Sequence, residues 1–228
     1  DGSFDLTPLF VGAQGTLGII TEIVLDTEPF APSASLIAAS FDDLKVLEEV
    51  VLELRKLPEL PSAVEMVDEH LLKAVDILNP NQLKGVTSKP FPKAMLLIEF
   101  DSLSDRTQQK LVKRTKKLLE KLAVNFQVAK TPEDQERLWR VRHAASTIVG
   151  HSEGNTKALP IIEDGVVPPE KLAEYIEELY KLFERSHVRP AVWGHAGDGH
   201  LHVQPLLDLS TVGDRQKVFR LMEEYYDL

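Results

Sequence analysis

The chain has 228 residues, 43% of them hydrophobic and 27% charged, with a formal net charge of −10. That length supports one large or two small domains with a real core. The acidic balance and the lack of a basic stripe argue against general nucleic-acid binding, which needs clustered Lys and Arg. With no cysteine, disulfides, thiolate catalysis and Cys-type zinc sites are excluded.

No apolar run approaches the roughly 18 residues needed to cross a bilayer, and no signal peptide is visible. The expected location is cytoplasmic, with attachment to a membrane through a partner left open. The first 26 residues differ from the rest. Gly12, Gly15 and Gly18 punctuate the run Phe10 to Ile20, and a β-like stretch follows from Ile19 to Leu25. Glycine allows close approach of backbone to a ligand. Pro29 and Pro32 read as a linker, which sets a boundary near residue 30.

Strands and helices then alternate. Ser35 to Ser40 reads as a strand. Asp42 or Asp43 can cap a helix carrying Leu44, Leu47, Val51 and Leu54 on one face. A short strand at Ala63 to Val67 leads into a helix at Glu69 to Leu78. Asn79 to Pro92 reads as loop, and Ala94 to Phe100 as a buried strand. A long helix at Ser104 to Leu122 has Lys110 to Lys121 as its solvated face. Asn125 to Ala129 is a strand, and Pro132 opens a helix running to about Val149. Lys157 to Glu163 reads as extended. Pro168 and Pro169 open a helix with Leu172, Ile176, Leu179 and Phe183 inward. Ala191 to Trp193 and Leu201 to Pro205 flank a Gly-rich turn, and Val218, Leu221, Met222 and Tyr225 mark a last helix. The chain starts at Asp1 rather than Met and stops inside that helical pattern, so both ends read as cut edges of a longer polypeptide. This order predicts an α+β fold, an antiparallel sheet or sheets with helices on one face, as in ferredoxin-like units. No sequence repeat supports duplication.

The chemistry concentrates at Trp193-Gly194-His195-Ala196-Gly197-Asp198-Gly199-His200-Leu201-His202. His200 and His202 share a face of a strand because side chains alternate. His195 precedes a turn that can fold back towards His202. Neutral imidazoles gathered in this way suit a transition metal, although a lone His near a strand end is usually structural. Asp198, between two glycines, reads first as a turn residue, with a ligand or imidazole-orienting role as alternatives. Arg142 and Ser146 share a helix face, and a guanidinium can bind a carboxylate through two parallel bonds. Lys157 can add a second positive charge. Taken alone, the plainer reading is that Arg142 pairs with a surface Glu and Lys157 is solvated.

Gly194 to His202 closely resembles the Gly-His-x-Gly-Asp-Gly-Asn-x-His motif of the FAD-linked oxidase family. That family includes D-lactate dehydrogenases, glycolate oxidase flavin subunits and D-2-hydroxyglutarate dehydrogenases. Leu9 to Glu22 resembles the segment that closes the family's FAD-binding domain. Leu138-Trp139-x-x-Arg142 and Glu163-Asp164-x-x-Val167-Pro168 resemble further signatures in the expected order. The resemblance implies that residues 1–30 are the tail of an FAD-binding domain, with Gly12, Gly15, Thr16, Gly18 and Ile19 against FAD. It implies that 31–228 form a substrate- and metal-binding domain, truncated at its C-terminal end. His195 and His202 then match the metal ligands, for Zn, Mn or Fe. A third ligand, Glu, and the catalytic base would lie in a later segment, so no catalytic base is assigned here. Arg142, Ser146 and Lys157 match a substrate-carboxylate site, with Ser146 where Thr is usual. Position 200 departs from the pattern, with His for Asn. It reads as a neutral replacement, then as an extra ligand, then as a group orienting a ligand.

The implied function is oxidation of a small D-2-hydroxy acid, such as D-lactate or glycolate, to the 2-oxo acid by hydride transfer to FAD. The partners implied are that acid and an electron acceptor or partner subunit, with a homodimer allowed. Two other readings stay open: a metal-dependent hydrolase using the His cluster, and a non-catalytic α+β interaction module.

Overall fold

The structure is a computed structural model that describes residues 4–27, 29–31, 33–150, 155–162 and 164–228. The side chains of residues 146–150 are not described, so Ser146 lies outside the described set, as does Glu163. The chain divides into two units, Asp1–Phe30 and Ala31–Leu228.

In the first unit, α1 (Thr7–Phe10) is a single turn with Pro8 near its start. The β-like run Ile19 to Leu25 forms no strand among the described residues, which corrects the sequence expectation. The physical reason is the lack of a ladder partner: Ile19 is 92% exposed and Val24 90%. An isolated extended segment has nowhere to place its backbone hydrogen bonds except water.

The second unit is built on β1 (Ser35–Phe41), α2 (Leu44–Leu54), β2 (Ala63–Asp68), α3 (Glu69–Leu78), β3 (Ala94–Phe100), α4 (Asp105–Leu122), β4 (Asn125–Val128) and α5 (Pro132–Gly150). It continues through β5 (Lys157–Ala158), β6 (Asp164–Val166), α6 (Leu172–Arg185), β7 (Arg189–His195), β8 (His200–Leu207) and α7 (Val212–Tyr226). The strands form one sheet in the order β4-β1-β3-β2-β7-β8-β5, with β6 also paired to β8. Every pairing is antiparallel. The order β4-β1-β3-β2 is that of a ferredoxin-like βαββαβ unit, with α3 inserted after β2. The strands β6, β8 and β7 repeat part of that order, and the two halves meet where β2 pairs with β7.

The helix starts follow capping chemistry. Asp43 accepts from the amides of Lys45 and Val46, Ser104 from Thr107 and Thr211 from Asp214. Each satisfies a first-turn N–H that has no partner within its own helix.

The antiparallel α+β architecture matches the sequence expectation, but the helices, expected on one face, cover both. Ile37, Ala39, Met66, Leu96, Ile98 and Val203 pack against α2, α4, α6 and α7. Leu36, Ala38, Val67, Leu97, Ala191 and Trp193 pack against α3 and α5. The central strands are apolar on both faces, and a sheet so composed must be covered twice to keep that surface from water. The second cover, α5, carries Arg142 and so helps to build the site.

One carboxylate is locked inside this arrangement. Asp68 ends β2 and caps α3, accepting from the Leu71 amide at 2.8 Å and the Val192 amide at 3.4 Å. Its other oxygen accepts from the Tyr180 hydroxyl at 3.0 Å. Burial pushes its pKa up to about 7, against those three hydrogen bonds, which pull the other way.

Candidate metal and substrate site

Strands β7 and β8 form a hairpin whose rungs place His195 opposite His200 and Trp193 opposite His202. The alternation of side chains then puts all three imidazoles on the α5 face of the sheet. Their ring centroids form a near-equilateral triangle, 5.3 Å from His195 to His200, 5.2 Å from His195 to His202 and 5.1 Å from His200 to His202. The turn between them is a single 3-10 turn, Ala196–Asp198, closed by Gly199 in the left-handed region at φ 68°. A Cβ at Gly199 would lie 2.0 Å from the Val167 carbonyl oxygen, so both conformation and space demand glycine there. Asp198 is a turn residue, 83% exposed and 3.6 Å from Arg55, whose Nη1 also donates to the Gly197 carbonyl at 2.5 Å.

Strand β6 adds a carboxylate. Asp164 sits opposite His202 in the ladder. Its Oδ1 lies 3.0 Å from His200 Nε2 and 2.8 Å from His202 Nδ1. Hydrogen bonding from His200, then from His202, holds the Asp164 carboxyl below its ordinary range. One ligand atom from each of Asp164, His200 and His202 lies within 4.8 Å of the others. Position 164 is fixed from beneath. The hydroxyls of Tyr175 and Tyr225 meet at 2.8 Å directly under Gly165, where a Cβ would stand 1.9 Å and 2.1 Å from them.

On the other side of the triangle, His195 Nδ1 lies 2.5 Å from Glu65 Oε1, and Arg142 Nε donates to Glu65 Oε2 at 2.5 Å. Glu65 is buried, 7% exposed, in the middle of β2. Arg142 therefore pairs with a buried carboxylate rather than a surface one, and through it is joined to the imidazole cluster. The Nη atoms of Arg142 make no hydrogen bond among the described residues. Lys157 is exposed in β5, opposite Leu207. That is five residues along β8 from His202, roughly 17 Å at the usual strand rise. The structure thus brings Arg142, His195, His200 and His202 together and leaves Lys157 at the far end of the hairpin. Near that far end lies a cavity of about 650 Å³ lined by Ala74, Ile77, Phe91, Arg189 and Leu206, remote from the imidazoles.

Glu65 and Asp164 were not singled out from sequence. Asp164 stood inside a recognised motif, and Glu65 was signalled only as an acid within an apolar strand run. In the separate N-terminal unit, Gly12 and Gly15 have φ of 78° and 76°, and each faces open space. Thr16 Oγ1 donates to the Ala13 carbonyl at 2.6 Å, and Gly18 lies 3.6 Å from the Phe10 ring.

The fold and this cluster define a helix-covered antiparallel domain presenting imidazoles, carboxylates and a guanidinium at one end of a hairpin. Residues 31–228 match the family of FAD linked oxidases, C-terminal domain, and the chain belongs to that family. The glycolate oxidase subunit GlcD of Bacillus subtilis is 25% identical over 98% of this chain and 46% of its own length. A D-2-hydroxyglutarate dehydrogenase of Pantoea ananatis is 31% identical over 91% of this chain and 21% of its own. The mitochondrial D-lactate dehydrogenase [cytochrome] of Arabidopsis thaliana is 28% identical over 96% of this chain and 37% of its own. The chain thus spans less than half the length of these relatives. Among solved structures, 4-ethylphenol oxidase from Gulosibacter chungangensis superposes with a TM-score of 0.62 at 13% identity, over 87% of this chain and 44% of that one. An alkyldihydroxyacetonephosphate synthase does so with a TM-score of 0.61 at 12% identity, over 99% and 44%. At such identities the likeness concerns the fold alone.

Proposed function

We propose that this chain is the substrate-orienting part of a flavoprotein that oxidises a small D-2-hydroxy acid to the 2-oxo acid. In that reaction the Cα hydride passes to FAD and the hydroxyl proton passes to a base. Membership of the FAD-linked oxidases supports the cofactor class. The substrate class is supported by relatives named for glycolate, D-2-hydroxyglutarate and D-lactate. The observation that carries the reading is the three-imidazole triangle joined through Glu65 to Arg142. It sets a nitrogen-rich ligand set beside a cation suited to a carboxylate.

The donor chemistry fits a divalent transition ion. The His200 and His202 imidazoles and the Asp164 carboxylate are close enough to converge, with the His195 ring 5.2 Å from that of His202, and N/O sets of this kind suit Zn, Mn or Fe. Bound there, such an ion supplies Lewis acidity towards the substrate hydroxyl. His195, His202 and His200 would hold it, with Asp164 orienting or joining the imidazoles. His200, whose Nε2 meets Asp164, is then an added ligand or orienting group rather than a neutral replacement. The Nη edge of Arg142, which makes no hydrogen bond among the described residues, receives the substrate carboxylate. Lys157 contributes only if the substrate or a movement of β5 spans the distance along β8. The hydrolase reading draws no support from a flavin-linked family.

The test is anaerobic flavin bleaching in the full-length protein with a panel of 2-hydroxy acids, before and after chelation. The expected result is rapid bleaching by one D-acid, lost on chelation and restored by metal. A protein without flavin, or one bleached by no acid, refutes the proposal.

A further inference from the structure

We infer that Glu65 is the positioning residue of this site, fixing the tautomer of His195 and the orientation of Arg142 together. It touches neither flavin nor substrate in this reading. Its action is through its two neighbours.

The argument begins on β2. Val64 and Met66 belong to one core and Val67 to the other, so alternation points Glu65 towards α5, where an apolar side chain would be expected. A carboxylate removed from water needs partners for both oxygens. Glu65 has two: Arg142 Nε on Oε2 and His195 Nδ1 on Oε1, each at 2.5 Å. A guanidinium is always a donor and an ionised carboxylate only an acceptor. With the carboxylate as acceptor, Nδ1 of His195 is the donor, and in the neutral imidazole Nε2 then holds the lone pair. Among the described residues Nε2 makes no hydrogen bond, and its ring lies 5.2 Å from His202 and 5.3 Å from His200. Among the described residues Arg142 is held by Nε alone, which leaves the two nitrogens of its Nη edge for an oxyanion. One buried carboxylate thus makes His195 ligand-ready and aims a cation beside it.

Anchoring α5 to the sheet would not by itself need this residue. Trp139 Nε1 already donates from the same helix to Glu99 on β3 at 3.1 Å.

Glu65→Gln separates the two roles. A carboxamide has one acceptor and one donor end. With its oxygen on Arg142 Nε, its amide faces His195 and favours the Nε2–H tautomer. The measurement is long-range ¹⁵N–¹H NMR of the histidine rings in the full chain, at a pH where they are neutral, with Zn²⁺ titration alongside. The wild-type chain should show a protonated Nδ1 and a bare Nε2 at His195. Glu65→Gln should reverse that pattern and weaken Zn²⁺ binding by about 10- to 100-fold, as loss of an orienting partner does. A wild-type His195 in the Nε2–H form overturns the inference without any variant, as does an unchanged tautomer in a folded Glu65→Gln. The inference builds on the proposed metal role of His195, but the two fail separately. A tautomer that switches in a chain with no Zn²⁺ affinity keeps Glu65 as positioning residue and removes the metal from the proposed function.

Discussion

Replacing Asp68 by Asn should change how stability depends on pH. The Asp68 carboxyl is fully enclosed between β2, α3, β7 and Tyr180, and its pKa is raised from 3.8 to about 7, burial being the largest cause. In the unfolded chain the group loses its proton near 4, whereas in the folded chain it keeps it to about 7. Between those values the folded state binds more protons than the unfolded one, so stability falls as pH rises. The contribution is fully present below about pH 4 and is gone above about pH 7. About three pK units at 1.36 kcal/mol each give about 4 kcal/mol. That is an upper bound, because a buried carboxylate can draw in water and relax its surroundings. Asn keeps an oxygen for the Leu71 and Val192 amides and places an amide towards the Tyr180 hydroxyl, with no charge to desolvate. Urea denaturation of both chains at pH 4 and pH 8 measures the effect. The variant should be close to wild type at pH 4 and more stable at pH 8, by up to about 4 kcal/mol. An equal difference at the two pH values would refute the reasoning.

Two further outcomes follow from the turn and the brace. Gly165→Ala forces a methyl into the Tyr175 and Tyr225 hydroxyls. It should cost about 1–3 kcal/mol by overpacking and disturb the His200 and His202 ring signals, with partial recovery when both tyrosines become Phe. Failure of the double Phe background to recover any stability would remove the steric explanation. Arg55→Ala should leave global stability within about 1 kcal/mol, since the ion pair is exposed, yet speed hydrogen exchange at residues 196–199. Unchanged exchange there would show that the Arg55 bond to Gly197 does not hold the turn.

Much of this fold was legible because local patterns and tertiary demands agree. Leu44, Leu47, Val51 and Leu54 repeat at helical spacing behind an Asp43 that does cap. The run Ala94 to Phe100 is a strand in the centre of the sheet. Strand β6 was less legible. Its three residues carry almost no periodic signal, and they pair because β8 offers an edge. Ile19 to Leu25 failed the other way, with a strand-like composition and no neighbour among the described residues. In the site, the imidazoles could be read as a group because the Gly-rich turn brings eight consecutive residues back on themselves. Glu65 could not, because it stands 130 residues from His195 in sequence. An acid in an apolar run tells which strand it is on but not which helix will cover it.

The two ferredoxin-like halves are sewn together by a short seam. β2 and β7 share only the rungs Met66↔Gly194 and Val67↔Trp193, whereas β7 and β8 share seven. Glu65 and His195 stand one step beyond that seam, one on each half. Buried bonds cross the same line, from the Val192 amide and the Tyr180 hydroxyl to Asp68, so the carboxylate and its imidazole are held together by the packing of the two halves as well as by the ladder. The contact of Glu65 with His195 is thus made only when the two halves dock, so it reports on their assembly.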